Sequence, residues 1–317
     1  MPRHPFRFGI ITHNTATSKD ILVSRACKAE QLGYNIFLIP DHLGDQFAPS
    51  LALTLIASVT TSLRVGSGVF DNDFRHPVLL AKEAATLDAF SDGRFELGIG
   101  AGWMRSEYEQ IGMTFDKPSV RIERLREAIH IFKSFFTEES VTFDGQHYHL
   151  QGMPGLPKST QSPYPPMHLG GSGKKMLALA AEEADIVGII PRLGSGSRAE
   201  HMNEILDGGD ASAEMTRQKV AWIREAAGER FDQLELNILP MEVCVTEDRQ
   251  QAIERCARQL HMSERQAAET PFLLLGSVEQ ICEQLQGMRE EYGFSYIVIW
   301  EEHMEAIGPV VARLANR

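Results

Sequence analysis

The chain has 317 residues, of which 43% are hydrophobic and 23% charged, ordinary values for a globular protein and enough to bury a full core without disulfide or metal staples. Its formal net charge of −12 argues against nucleic-acid binding, since an acidic surface repels polyphosphate. The N-terminus lacks a signal-peptide core and no apolar run reaches the length of a membrane span, so a cytoplasmic protein is expected.

In chain order, short β-rich runs alternate with amphipathic helical patterns. Phe6–Ile11 reads as a strand. Thr17–Asp20 resembles a capping box, and helical spacing then runs to Gly33, a plausible C-cap. Ile36–Ile39 reads as a buried parallel strand, Ser50–Thr60 as a helix and Leu63–Val69 as a strand. His76-Pro77 opens a helix running to about Phe90, and Arg94–Ile99 is the next strand. Val120–Phe136 is strongly helical. After it, Asp144-Gly145 between two β-rich runs predicts a hairpin with a type I′ turn. Met153–Pro166 holds five of the fifteen prolines and reads as a loop. Met167–Leu169, Ile186–Ile190, Leu234–Val245 and Tyr296–Trp300 supply further strands. Helices are predicted over Lys174–Glu183, Ser212–Ala227, Arg249–Leu260, Val278–Tyr292 and Met304–Ala315.

Eight candidate parallel strands separated by helices fit a single (β/α)8 TIM barrel over residues 1–317, with insertions at about 138–166 and 191–211. A doubly wound sheet is the rival; the lack of a composition break between two halves favours the barrel. Barrel enzymes place their chemistry where strands end. Those ends carry His13, Asp41-His42, Gly68–Asp71, Gly100–Trp103, Gly170–Gly173 and Arg192.

Gly98–Trp103 fails the dinucleotide pattern, because Trp103 stands at the third glycine position. It is either a tight turn or a loop that lets a planar cofactor approach. Gly170, Gly171, Ser172, Gly173 and Lys174 follow a strand and open a helix, the context in which backbone N–H groups hold a phosphate. A plain glycine-rich turn is the alternative, and no Walker A loop is present. In Asp41-His42 the carboxylate can orient the imidazole for acid–base work, although the dipeptide taken alone favours a turn with a surface histidine. His147 and His149 share a face of the predicted hairpin but lack a third ligand, so no metal site is expected. The four cysteines form no CxxC pair and read as buried reduced thiols.

With those pieces placed, the chain resembles the bacterial-luciferase-like superfamily, and within it the coenzyme F420-dependent oxidoreductases. The resemblance rests on Tyr34–His42, Leu63–Val69, Asp73–Trp103 with Glu107-Tyr108, Thr142–Tyr148 and Met167–Val187. It implies a usually dimeric barrel that binds F420, or FMN in related members. It further implies an Asp41-His42 pair at the deazaflavin edge, with His42 or His13 as proton source. A non-proline cis peptide at Gly68-Val69 would back the ring. Asp71 and Gly100, Ala101 and Gly102 would touch the cofactor, and Gly170–Lys174 its phosphate. Where the sugar-phosphate dehydrogenases carry a catalytic Glu, this chain has Trp103; the nearest such residue is Glu107. Phe70, Trp103, Glu107 and Arg192 are expected to shape the substrate pocket. The implied activity is hydride transfer to or from a small organic molecule. The alternatives are an FMN-dependent monooxygenase, served by a flavin reductase partner, and a non-catalytic flavin-binding barrel.

Overall fold

A computed structural model describes residues 4–12, 18–192 and 208–317. The strands are β1 (Arg7–Ile11), β2 (Ile36–Ile39), β3 (Arg64–Ser67), β4 (Phe70–Asp71), β5 (Phe95–Gly100), β6 (Ser140–Asp144), β7 (His149–Pro154), β8 (Met167–Gly171), β9 (Ile186–Ile189), β10 (Glu235–Ile238), β11 (Glu242–Val245), β12 (Leu273–Gly276) and β13 (Phe294–Trp300). Eight of them, β1, β2, β3, β5, β8, β9, β10 and β13, alternate with helices as the parallel strands of a (β/α)8 barrel. Most are buried along their whole length because both faces are covered, one by barrel interior and one by helices, and Ile36–Ile39 is a continuous apolar run for that reason.

The chain gathers into two compact units. The first comprises Met1–Ile11, Gln31–Asn35 and Gly170–Arg317; the second comprises Thr12–Glu30 and Ile36–Leu169. In the second unit β2 pairs with β3, β3 with β5, and β5 with β8, all parallel. In the first unit β1 pairs with β13, β13 with β10, and β10 with β9. Asn35 closes the turn before β2 by accepting the Phe8 N–H at 2.8 Å.

Several expectations are corrected. The strand expected over Leu234–Val245 is two strands. β10 stays in the barrel, whereas the chain turns through Pro240 and the Met241 N–H bonds to Phe272 O at 2.8 Å. β11 thereby pairs with β12, a strand not expected from the sequence. This pair and its helices have a separate core around Ile253, Cys256, Leu273 and Leu275. The run Leu63–Val69 is also broken: β3 ends at Ser67, Gly68-Val69 is a cis peptide, and β4 resumes against β5.

In the hairpin, Asp144 faces His149, so residues 145–148 form the connection rather than Asp144-Gly145 as a two-residue turn. The reason is tertiary. The Glu127 carboxylate, from the helix Pro118–Thr137, accepts the N–H groups of Gln146, His147 and Tyr148 at 2.7, 2.9 and 3.1 Å. His147 therefore lies in the connection and His149 on the strand, bonded to Asp144 at 2.7 Å, so the two share no face. Of the thiols, Cys256 and Cys282 are buried, but Cys27 and Cys244 are only half-buried.

Candidate active site

In the second unit the chain leaves β2 through Pro40-Asp41-His42. Asp41 is 6% exposed. Its carboxylate receives both terminal nitrogens of Arg75, one of them at 2.9 Å, and the Asp71 N–H at 3.0 Å. A bidentate guanidinium and a main-chain donor occupy both oxygens, which locks the end of β2 to β4. The Arg75 guanidinium also lies over the Phe70 ring, 5.1 Å from its centroid.

His42 meets a different carboxylate. Its Nδ1 lies 3.1 and 3.2 Å from the two oxygens of Glu107, which sits on the short helix Arg105–Gln110 and is 7% exposed. Glu107 Oε1 also accepts the Leu43 N–H at 2.8 Å. Trp103 packs edge-on against the imidazole with ring centroids 5.8 Å apart, and is itself 43% exposed. The His42 side chain stays partly exposed, and its Nε2 has no hydrogen-bond partner among the described residues.

Beside this pair lies a buried polar network. The Tyr108 hydroxyl is 2.9 Å from both Asp71 oxygens and 3.2 Å from Asp73 Oδ2. A phenol has one proton, so it serves one carboxylate oxygen at a time. Asp71 accepts the Asp73 N–H at 2.9 Å, and Asp73 accepts from Arg124 at 2.8 Å. Burial raises the Asp71 carboxyl to about 6, despite the hydrogen bonds that favour its charge.

The glycine-rich end of β5 fits over this network. Gly102 has φ +72°, and a Cβ there would lie 2.0 Å from the Tyr108 hydroxyl and 2.5 Å from Asp71 Oδ2. Arg121 holds the turn from its other side, donating to Ala101 O at 2.9 Å and to Gly102 O. One turn earlier, a Cβ at Gly98 would meet Ser67 O at 2.0 Å. Gly98 is therefore demanded by the backbone of β3, and Gly102 by its positive φ and the buried Tyr108 and Asp71 side chains.

In the first unit, β8 runs through Gly170–Gly173 into the helix Lys174–Glu183. Gly173 is its N-cap; no side chain caps the helix, and a Cβ at Gly173 would meet nothing within 4 Å. An uncapped N-terminus with open space at its first residue fits an anionic group. The Lys174 ammonium, however, bonds to Glu225 at 2.9 Å. Beyond β9, the fully buried Lys219 donates to Ile190 O at 3.0 Å and forms an ion pair with Asp210, whose carboxylate also accepts the Arg192 N–H.

Residues 4–294 match the family model described as luciferase-like monooxygenase. The chain belongs to that family. It is 33% identical over 191 residues to the 5,10-methylenetetrahydromethanopterin reductase of Archaeoglobus fulgidus, an alignment covering 60% of this chain and 54% of the relative. It is 28% identical over 262 residues to the F420-dependent glucose-6-phosphate dehydrogenase of Nakamurella multipartita, covering 79% of this chain and 71% of that one. The match to the archaeal reductase thus spans about half of that enzyme's length. The coenzyme F420-dependent tetrahydromethanopterin reductase of Methanopyrus kandleri has the same fold, with a TM-score of 0.78 at 18% identity over 98% of this chain and 99% of that one.

Within this luciferase-like chain, the cis peptide falls at Gly68-Val69, where the family resemblance put it. The second unit brings together Asp41, His42, Gly68, Val69, Phe70, Asp71, Gly100, Ala101, Gly102, Trp103 and Glu107. Several roles change. Asp41 does not orient His42, because it is committed to Arg75 and the chain sends neighbouring side chains in opposite directions. Glu107 is bound to His42 rather than placed as a pocket wall, and Phe70 is buried under Arg75. The Asp71 carboxylate is engaged inside the Tyr108 network, and Lys174 is paired with Glu225. His13 lies outside the described residues, as do residues 193–207 of the 191–211 insertion. Among the described residues no cluster of three His, Cys, Asp or Glu forms a metal site. No described helix is long and apolar enough to cross a membrane. Arg75, Tyr108, Arg121 and Lys219 were not singled out by the sequence. Tyr108 adjoins Glu107 in the motif and Arg75 lies in the Asp73–Trp103 run, but only their distant partners reveal their roles.

Proposed function

We propose that the chain is an F420-dependent oxidoreductase that moves a hydride between the deazaflavin and a small organic substrate. One observation carries the reading: a strand-end histidine fixed through Nδ1 by a buried carboxylate, with Nε2 unbonded among the described residues and the ring partly exposed. The family's F420-dependent relatives supply the cofactor class. When bound, the deazaflavin supplies an obligate two-electron hydride carrier. The proton that accompanies the hydride passes through His42 Nε2, which takes it up from solvent to form the imidazolium and then gives it to the reduced substrate. Asp41 holds the strand end that presents His42. The uncapped helix start at Gly170–Gly173 is assigned to a cofactor phosphate, through main-chain N–H groups rather than the Lys174 ammonium. Trp103 and Arg192 are assigned to substrate selection. A homodimer is part of the proposal, supported by Leu51, Leu79 and Phe90, which are exposed on the helices Pro49–Val59 and Pro77–Phe90.

The test is a parallel titration of the apo-protein with F420 and with FMN, followed by absorbance and fluorescence. Turnover of reduced F420 with cyclic enones and imines is then measured in the intact protein and in His42→Ala. Selective F420 binding, with turnover that His42→Ala abolishes, is the expected outcome. The family description favours one second reading, a reduced-FMN monooxygenase fed by a reductase partner. Selective FMN binding would establish it and discard the first. Binding without any turnover, unchanged in His42→Ala, would leave a non-catalytic flavin-binding barrel.

A further inference from the structure

We infer that Glu107 is a positioning residue that sets the tautomer of His42, with the proton on Nδ1 and Nε2 left as the working nitrogen. This rests on the assignment of His42 as the acid–base group. It gives Glu107 a role other than contact with substrate.

Glu107 Oε1 accepts the Leu43 N–H at 2.8 Å, so this oxygen presents a lone pair to the His42–Leu43 segment. The same oxygen lies 3.1 Å from His42 Nδ1, and Oε2 lies 3.2 Å away. A carboxylate that accepts a main-chain N–H with one oxygen and straddles the imidazole with both is an acceptor there, and the hydrogen must belong to Nδ1. In the neutral ring Nε2 is then the basic nitrogen. The other described groups around His42 do not compete. The adjacent Asp41 is neutralised by Arg75, Trp103 touches the ring by its edge, and Gln46 binds the His42 main-chain N–H at 2.9 Å.

The carboxylate is itself fixed from behind. Tyr108, the next residue, is fully buried, bonded to Asp71 and packed on Phe74 and Phe115 at centroid distances of 5.3 and 4.9 Å. Consecutive residues of a helix point about 100° apart, so one turn aims Tyr108 into the buried network and Glu107 at His42. Trp103 and Glu107 therefore reach the imidazole from a single anchored segment.

The experiment uses the full chain with 15N-labelled histidine. Long-range 1H–15N spectra are recorded, and the His42 signals are identified by their loss in His42→Gln. The intact protein is expected to show a protonated Nδ1 and a bare Nε2. Glu107→Gln retains an acceptor and is expected to keep that pattern; Glu107→Leu is expected to lose it. With reduced F420 and cyclohex-2-enone, Glu107→Leu is expected to lower kcat about 10- to 100-fold, by analogy with the loss seen when the outer partner of a metal-bound histidine is removed, with KM within about threefold. Glu107→Gln is expected to recover most of that loss. A bare Nδ1 in the neutral ring of the intact protein, or an unchanged tautomer in Glu107→Leu, would overturn the inference. If the tautomer pattern holds while F420 neither binds nor turns over, Glu107 still positions His42, and it is the cofactor assignment that fails.

Discussion

Replacing Gly102 by alanine tests whether the β5 turn is held by the protein's own interior. The residue has φ +72°, where an L side chain costs about 1–2 kcal/mol. The new methyl would lie 2.0 Å from the Tyr108 hydroxyl, 2.5 Å from Asp71 Oδ2 and 2.9 Å from Asp71 Oδ1, well inside any tolerable contact. Relief requires Tyr108 or Asp71 to withdraw, which breaks a buried hydrogen bond to a carboxylate worth about 1.5–3 kcal/mol. The expected loss is therefore about 2.5–5 kcal/mol, read as a fall in the urea midpoint at unchanged slope. Gly287 is the control. It is exposed in the helix Val278–Glu291, and a Cβ there would meet nothing within 4 Å. Gly287→Ala should stabilise by about 0.5–1 kcal/mol, because alanine reduces the freedom of the unfolded chain and favours helix. A Gly102→Ala protein that loses less than about 1 kcal/mol would refute the packing argument and return the turn to a cofactor role alone.

Arg75→Met leaves the Asp41 carboxylate buried without its guanidinium, and should cost about 3–5 kcal/mol in urea unfolding, whereas exposed pairs such as Arg265–Glu269 should cost under about 1 kcal/mol. The Asp71 carboxyl is held by burial at about 6, above its unfolded value near 3.9, so the folded protein binds more protons between those values. The stability it contributes is complete below about pH 4 and is lost as the pH rises through 6, about 2–3 kcal/mol in all. Asp71→Asn should flatten that part of the stability profile, and identical slopes in variant and parent would contradict the assignment. Glu30 has the opposite sign. Burial opposes its charge, but the N–H groups of Ser62, Leu63 and Thr61 prevail and hold it at about 2. Its contribution is present above about pH 4 and is lost as the pH falls towards 2, so Glu30→Gln should narrow the difference in thermal midpoint between pH 6 and pH 3.

Local pattern alone located most of the barrel's strands and its longer helices to within a few residues, because the helices announce themselves by period, by Pro at their start and by Gly at their end. The helix expected from Pro77 to Phe90 and the C-cap at Gly33, with φ +84°, are local in this sense. Strand-end position also brought Asp41, His42, Gly68–Asp71 and Gly100–Trp103 forward as a group. Partnership was not legible. His42 and Glu107 are 65 residues apart, and Asp41 and Arg75 are 34 apart. The dipeptide Asp41-His42 suggested the wrong carboxylate because adjacent side chains of an extended segment diverge. The split between β10 and β11, the Glu127 clamp on the hairpin connection and the demand for glycine at position 102 arise in the same way. Each is a hydrogen bond or close approach between segments distant in sequence. Periodicity records which face of an element is buried, but which atom lies opposite on that face is decided only when the elements pack.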